Sequence, residues 1–364
     1  MSHEKAPRKP GGMVQLRQRV LPWAACVCVV WFGTGLSLSQ ADDPPPRRFE
    51  FVETHMGSPF QIILYTRDET LARSASRRAF DRIKALDASF SDYNPESELS
   101  KLSDQAGGKP FKISEDLFDI LTQSKSMAES SQGAFDPTIA PVGRLWRRTR
   151  RDRKLPDPEA LAKALKLVGH DRLILDPKAK TAQLTTPGMR LDLGGIAKGY
   201  ASQAAIDVLK LEGVRIALVA GAGDISVGDP PPGATGWVVG VAAIEAPGTA
   251  PPERRLLLKN ASISTSGDAE RYVEIEGVRY SHILNPKTGV GLTRRTSVTI
   301  IAPKGATADA LATAVTVLGP EPGLALVEKT PGASCFIVEG LGKDRKTWIS
   351  PGFPMAIPGE SSRD

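Results

Sequence analysis

The chain has 364 residues, 41% of them hydrophobic and 24% charged, which is enough apolar matter for a large core and excludes a disordered chain. Its formal charge of +6 is misleading, because residues 1–41 hold Lys5, Arg8, Lys9, Arg17 and Arg19 against the single acid Glu4. The remainder is close to neutral, which argues against nucleic acid as a partner.

Residues 1–19 are basic, residues 20–38 are mostly apolar, and Ser39-Gln40-Ala41 supplies the small side chains that a signal peptidase reads. The expectation is a signal peptide over 1–41 and an exported protein, periplasmic or on the outer face of the inner membrane. Left uncleaved, the apolar run would tether the chain to the membrane. A lipoprotein start is disfavoured because Trp23-Ala24-Ala25-Cys26 lacks the usual leucine. Cleavage removes Cys26 and Cys28 and leaves Cys335 alone, so no disulfide holds the fold. Residues 42–48 read as a stiff Pro-rich spacer, and 49–358 as the folded domain.

The domain opens with two strands, Phe49 to Met56 and Phe60 to Tyr65, around Gly57-Ser58-Pro59. Apolar spacing predicts an amphipathic helix from Thr70 to Phe90, and Ser114-Glu115-Asp116-Leu117 caps a second one running to Ser130. The basic run from Arg147 to Lys154 reads as an exposed loop, the alternative being a patch that meets an acidic or phosphorylated partner. A helix over Pro156 to Val168, a hairpin pairing Arg172 to Asp176 with Thr181 to Thr185, and a strand from Arg190 to Leu193 follow. Asp192 to Tyr200 is then a strand, a Gly194-Gly195 turn and the start of a helix ending near Leu211. Such a helix start favours anions, although the spacing matches neither a P-loop nor a dinucleotide fingerprint. Strands are expected at Ile216 to Val219, Trp237 to Ala242, Ala261 to Gly267, Ser297 to Ala302 and Cys335 to Val338. Together these elements imply one α+β domain built of two lobes of mixed sheets and helices.

Two stretches carry the chemistry. His282, one of four histidines, follows a hairpin bent at Gly277 and precedes the turn Asn285-Pro286-Lys287-Thr288-Gly289. Asp309 and Thr313 are four apart on an Ala-rich helix, so a carboxylate and a hydroxyl share one face. A base beside a hard-oxygen half-site suits attack by an activated hydroxyl on a phosphate. Taken singly, Asp309 could equally be a helix-start acid, Thr313 a back-bonded hydroxyl, and Tyr93 and Phe135 core aromatics.

As an ordered set the motifs are far more specific. Ser91-Asp92-Tyr93, Gly133-Ala134-Phe135-Asp136-Pro137, Asp192 to Tyr200, Thr265-Ser266-Gly267, Ser281 to Gly289, and Ala308-Asp309 through Thr313 stand in sequence. In this the chain resembles the ApbE-like family, the FAD:protein FMN transferases. The resemblance implies an ApbE-like, T-fold-related fold and an enzyme that splits FAD at its pyrophosphate. FMN passes to a threonine or serine hydroxyl of a target flavoprotein, and AMP leaves. It further implies FAD contacts from Met56, Tyr93, Ala134, Phe135, Asp136, Asp192, Lys198 and Ile283, with Tyr93 and Phe135 as stacking rings. Mg²⁺, with Mn²⁺ the alternative, would sit on Asp309, Thr313 and the Gly195 carbonyl, and His282 would be the base. Ala222 departs from the family's usual Gly-Gly-Asp turn, so no catalytic part is expected of that turn. Two rival readings share these residues: an FAD pyrophosphatase giving FMN and AMP, and a non-enzymatic envelope flavin-binding protein.

Overall fold

The computed structural model describes residues 44–244, 252–267 and 272–357. The expected signal peptide and the first two spacer residues lie outside these. Among the described residues no helix is long and apolar enough to cross a membrane.

In chain order, β1 (Arg47–His55) and β2 (Ser58–Thr66) precede α1 (Glu69–Phe90), α2 (Glu98–Asp104), β3 (Phe111–Lys112) and α3 (Glu115–Ser130). Next come α4 (Ala140–Asp152), α5 (Pro158–Leu165), β4 (Leu173–Asp176), β5 (Thr181–Leu184) and α6 (Ala197–Leu211). A long β run follows: β6 (Ala217–Gly221), β7 (Asp224–Val227), β8 (Trp237–Val241), β9 (Arg254–Leu258) and β10 (Ala261–Gly267). It continues through β11 (Tyr272–Ile275), β12 (Val278–Ser281) and β13 (Thr296–Ala302). The chain finishes on α7 (Gly305–Leu318), α8 (Pro320–Glu328), β14 (Ser334–Glu339) and β15 (Lys346–Ile349).

Eight strands form one antiparallel sheet in the order β1-β2-β6-β7-β10-β13-β14-β15. Its central strands are covered on both faces, and the period-2 alternation shows why they read as unbroken apolar runs. On β13 and β14, Val298, Ile300, Cys335 and Ile337 point into the main core beneath α1, α6 and α7. Ile301, Phe336 and Val338 point the other way, under the β8–β9 ribbon with Trp237 and Leu256. A second lobe gathers α4, α5 and the β11–β12 hairpin around Val142, Trp146, Val273 and Ile275.

Several expectations shift. Arg47 and Arg48 belong to β1, paired with Thr66 and Tyr65, so the spacer ends earlier than composition implied. The first turn is Met56-Gly57, both with positive φ (50° and 69°), while Ser58 and Pro59 already lie in β2. Most of the basic run is helix, not loop: α4 continues through Asp152 and closes on Arg153 in the left-handed region. Arg190 to Leu193 is not a strand; it makes only a single bridge, Arg190 to Ile139, because nothing further pairs with it.

One end of the main sheet collects several of its turns. Phe60 pairs with Gly221 and Asp224 with Ser264, so the Met56-Gly57 and Ala222-Gly223 turns lie at the same end. Thr265 to Gly267 runs out beside them, leading toward the β11–β12 hairpin.

Candidate active site

Helix α7 lays Asp309, Thr313 and Val317 along one stripe, each about 6 Å from the next by helical rise. The three meet different parts of the chain.

Asp309, only 3% exposed, faces the start of α6. That helix begins at Ile196 without any side-chain cap of its own. Asp309 serves instead: its Oδ2 accepts the Gly199 amide at 3.0 Å, and the Lys198 amide also donates to it. A carboxylate at an uncapped helix start satisfies orphan donors and meets the positive end of the helix dipole. The helices approach this closely because Gly199 and Gly305 face each other; a Cβ on Gly199 would lie 2.2 Å from the Gly305 oxygen.

Thr313, partly exposed, faces the glycine turn. A Cβ on Gly195 would come within 2.9 Å of the Thr313 hydroxyl and 3.4 Å of the Phe135 ring. Only glycine lets that backbone close on Thr313. Val317, finally, packs with Ile283 and Ala134. Residue 283 directly follows His282, so the imidazole's own segment is seated two turns along from Asp309 on the same helix. His282 is partly exposed just past the end of β12, and Ser281 Oγ accepts the Ile283 amide at 3.1 Å. The following turn is held by α4, whose Trp146 indole donates to the Gly289 carbonyl at 2.7 Å.

Burial first, and then the neighbouring Asp224, push the Asp309 carboxyl up to about 7; Lys198 and the two amides oppose them. Asp224 is itself 3% exposed, takes the Lys198 ammonium at 2.5 Å and accepts the Ser264 hydroxyl at 2.6 Å. Two carboxylates thus face one ammonium in a nearly dry setting, an excess of negative charge that a cation would offset. Among the described residues no cluster of three or more His, Cys, Asp or Glu side chains could hold a metal. The donors on hand are a carboxylate, a hydroxyl and a backbone at Gly195 closed against that hydroxyl, a hard-oxygen set that fits Mg²⁺ with its few protein ligands.

The remaining expected residues divide. Tyr93 is 75% exposed, its ring lying under Arg147 at 4.8 Å, while Arg147 pairs with Asp92 at 2.9 Å. Asp192 accepts the Gly194 amide at 2.8 Å and lies beside α4, its Oδ2 3.7 Å from where a Gly143 side chain would start. Dense surroundings raise its carboxyl above the usual range, Asp92 adding to the effect and Arg147 and Arg150 countering it. Met56, at the hairpin turn, donates its amide to Asp87 at 2.8 Å. Phe135 is 4% exposed and belongs to the main core, so it shapes Gly195 from behind and offers no open face for stacking; Tyr93 does. Asp136 is likewise inward: its oxygens accept the Thr138 amide and hydroxyl and the His170 amide, and meet the His170 ring at 3.1 Å.

Asp224 was missed from sequence. The turn before it was discounted for having Ala222 in place of glycine, yet Ala222 adopts φ 56° and keeps the turn. Trp146 was missed too, since its partner Gly289 is 143 positions away.

An eight-stranded antiparallel sheet packed against α1, α6 and α7, with a smaller lobe beside it, defines a mixed α+β protein. The chain belongs to the ApbE family, whose model matches residues 56–337. It is 32% identical over 307 residues to the FAD:protein FMN transferase of Treponema pallidum (strain Nichols), covering 80% of this chain and 84% of that one. The FAD:protein FMN transferase of Klebsiella pneumoniae (strain 342) is 31% identical over 294 residues, covering 80% and 89%. Among solved structures, the ApbE protein of Thermotoga maritima superposes with a TM-score of 0.75 at 30% identity, over 84% of this chain and 97% of that one. The apo flavinyl transferase ApbE of Pseudomonas stutzeri gives 0.75 at 29% identity, over 85% and 96%.

Proposed function

We propose that this chain moves FMN from FAD to a threonine or serine hydroxyl of a target flavoprotein, using Mg²⁺, and releases AMP. The coarser statement follows from kinship: in a family whose relatives are FAD:protein FMN transferases, the chain is a flavin transferase. The finer reading rests on one observation, the α7 stripe that lines up Asp309, Thr313 and the seat of the His282 segment.

In this reading Asp309, Thr313 and the Gly195 carbonyl would hold Mg²⁺, which would supply positive charge to offset that of a diphosphate. Tyr93 offers its exposed ring to a planar base, whereas the Lys198 ammonium, expected at the FAD, is held by Asp224. An aliphatic hydroxyl needs a base, and His282 takes its proton. The acceptor oxygen bonds to the FMN phosphorus, the anhydride P–O bond breaks, and AMP leaves with the electron pair. The basic-then-apolar start of the sequence supports export, so the acceptor is an envelope flavoprotein met in the periplasm or at the outer face of the inner membrane.

The test is incubation with FAD, MgCl₂ and a candidate acceptor, following AMP and protein-bound flavin together. Equimolar AMP and flavinylated acceptor are expected. AMP without bound flavin would make the chain a pyrophosphatase, and FAD binding with no AMP at any metal concentration would make it a carrier.

A further inference from the structure

Asp224 lies outside the proposed ligand set, yet it is among the most constrained polar groups in the molecule. It is 3% exposed on β7, and both carboxylate oxygens are engaged, one by Ser264 at 2.6 Å and one by the Lys198 ammonium at 2.5 Å. Its carbonyl accepts the Ser202 hydroxyl at 3.0 Å, tying the same residue to α6. Lys198 is the neighbour of Gly199, whose amide reaches Asp309, so ammonium, Asp224 and Asp309 share one small volume. An ammonium there has two carboxylates to choose between. Held by Asp224, it leaves Asp309 open to a metal; released, it would turn to Asp309 and compete with the metal for it.

We propose that Asp224 is a positioning residue for the cation site: by anchoring the Lys198 ammonium it keeps Asp309 available to the divalent ion. The inference rests on the reading of Asp309 as a Mg²⁺ ligand. The Ala222-Gly223 turn, with Ala222 at φ 56°, sets where Asp224 enters the sheet.

MgCl₂ is titrated into the FAD-loaded protein, with bound-flavin fluorescence and thermal melting as readouts independent of turnover. Asp224→Asn is expected to raise the half-saturating Mg²⁺ concentration about tenfold, the size of a displaced charge pair in a partly screened site. Adding Lys198→Met to that variant removes the competing ammonium and brings Mg²⁺ affinity back to within about threefold of wild type, a rescue that a purely structural role cannot produce. An Asp224→Asn protein with unchanged Mg²⁺ affinity, or a double variant no better than the single one, overturns the inference. Should Asp224→Asn fail to fold, Lys198→Met alone decides: Mg²⁺ must bind at least as tightly as to wild type, and a tenfold weakening refutes the account. A wild type indifferent to Mg²⁺ overturns the metal reading itself, and this inference with it.

Discussion

Asp309 caps a helix that is not its own: its carboxylate, carried on α7, accepts the Gly199 amide of α6 at 3.0 Å. The contact locks together the two helices that bring the glycine turn to Thr313, so fold and site depend on the same few atoms. Gly199→Ala places a methyl 2.2 Å from the Gly305 oxygen and 2.7 Å from Asp309 Cβ. Backbone cannot yield as a flexible side chain can, so a loss of about 2 kcal/mol or more is expected in urea unfolding, with Mg²⁺ dependence lost in parallel. Wild-type stability in this variant would mean that the helices do not cross so closely.

The raised Asp309 carboxyl makes stability depend on pH. Its folded value of about 7 lies above the ordinary carboxylate value of about 3.9, so the folded state holds the proton more tightly than the unfolded chain does. The stabilisation is complete below pH about 4 and is lost as pH rises through about 7. Metal-free protein should therefore melt at lower temperature at pH 8 than at pH 5.5. Asp309→Asn should flatten the dependence, and added Mg²⁺ should stabilise more at pH 8 than at pH 5.5. An Asp309→Asn variant with the same pH slope as wild type contradicts this.

Trp146 holds the turn after His282 through a buried bond to Gly289 and packs on Tyr280 with ring centroids 5.4 Å apart. Trp146→Phe keeps most of the packing and leaves the Gly289 carbonyl unpaired, at a cost of about 1–3 kcal/mol. Because the turn sets the His282 backbone, kcat for transfer should fall several-fold while FAD affinity stays near wild type. An equal loss in both would place Trp146 in cofactor binding.

Asp136 stitches the Ala134–Phe135 segment to His170 and Thr138. Asp136→Ala strands these partners in a buried setting and should lower stability by about 2–3 kcal/mol. FAD affinity, measured on the folded fraction, should fall far less than in Tyr93→Ala. A large affinity loss at unchanged stability would return Asp136 to the ligand contacts that the family resemblance implied.

Much of this was readable in the residues. The Asp309–Thr313 pair follows from helical periodicity alone, and Ala261–Gly267 stands out because hydroxyl and β-branched residues end in a glycine. The α4 helix was hidden because its buried stripe is thin, Ala140, Val142, Trp146 and Thr149, and arginines crowd its second half. Strand Asp224–Val227 is only four residues long, too short for alternation to declare itself, and its key carboxylate gains meaning only from Lys198 and Ser264 across the fold. Phe135 misled for a similar reason: an aromatic next to a motif gives no sign of which way its ring turns, and here it turns into the core.

The most direct measurement is intact-mass spectrometry of an acceptor flavoprotein co-expressed with wild type, with Asp309→Ala and with His282→Ala. One site uniting the α7 oxygens with the His282 segment predicts an acceptor heavier by a single FMN with wild type and unmodified with either variant. Full flavinylation by either variant, both being folded, would contradict it.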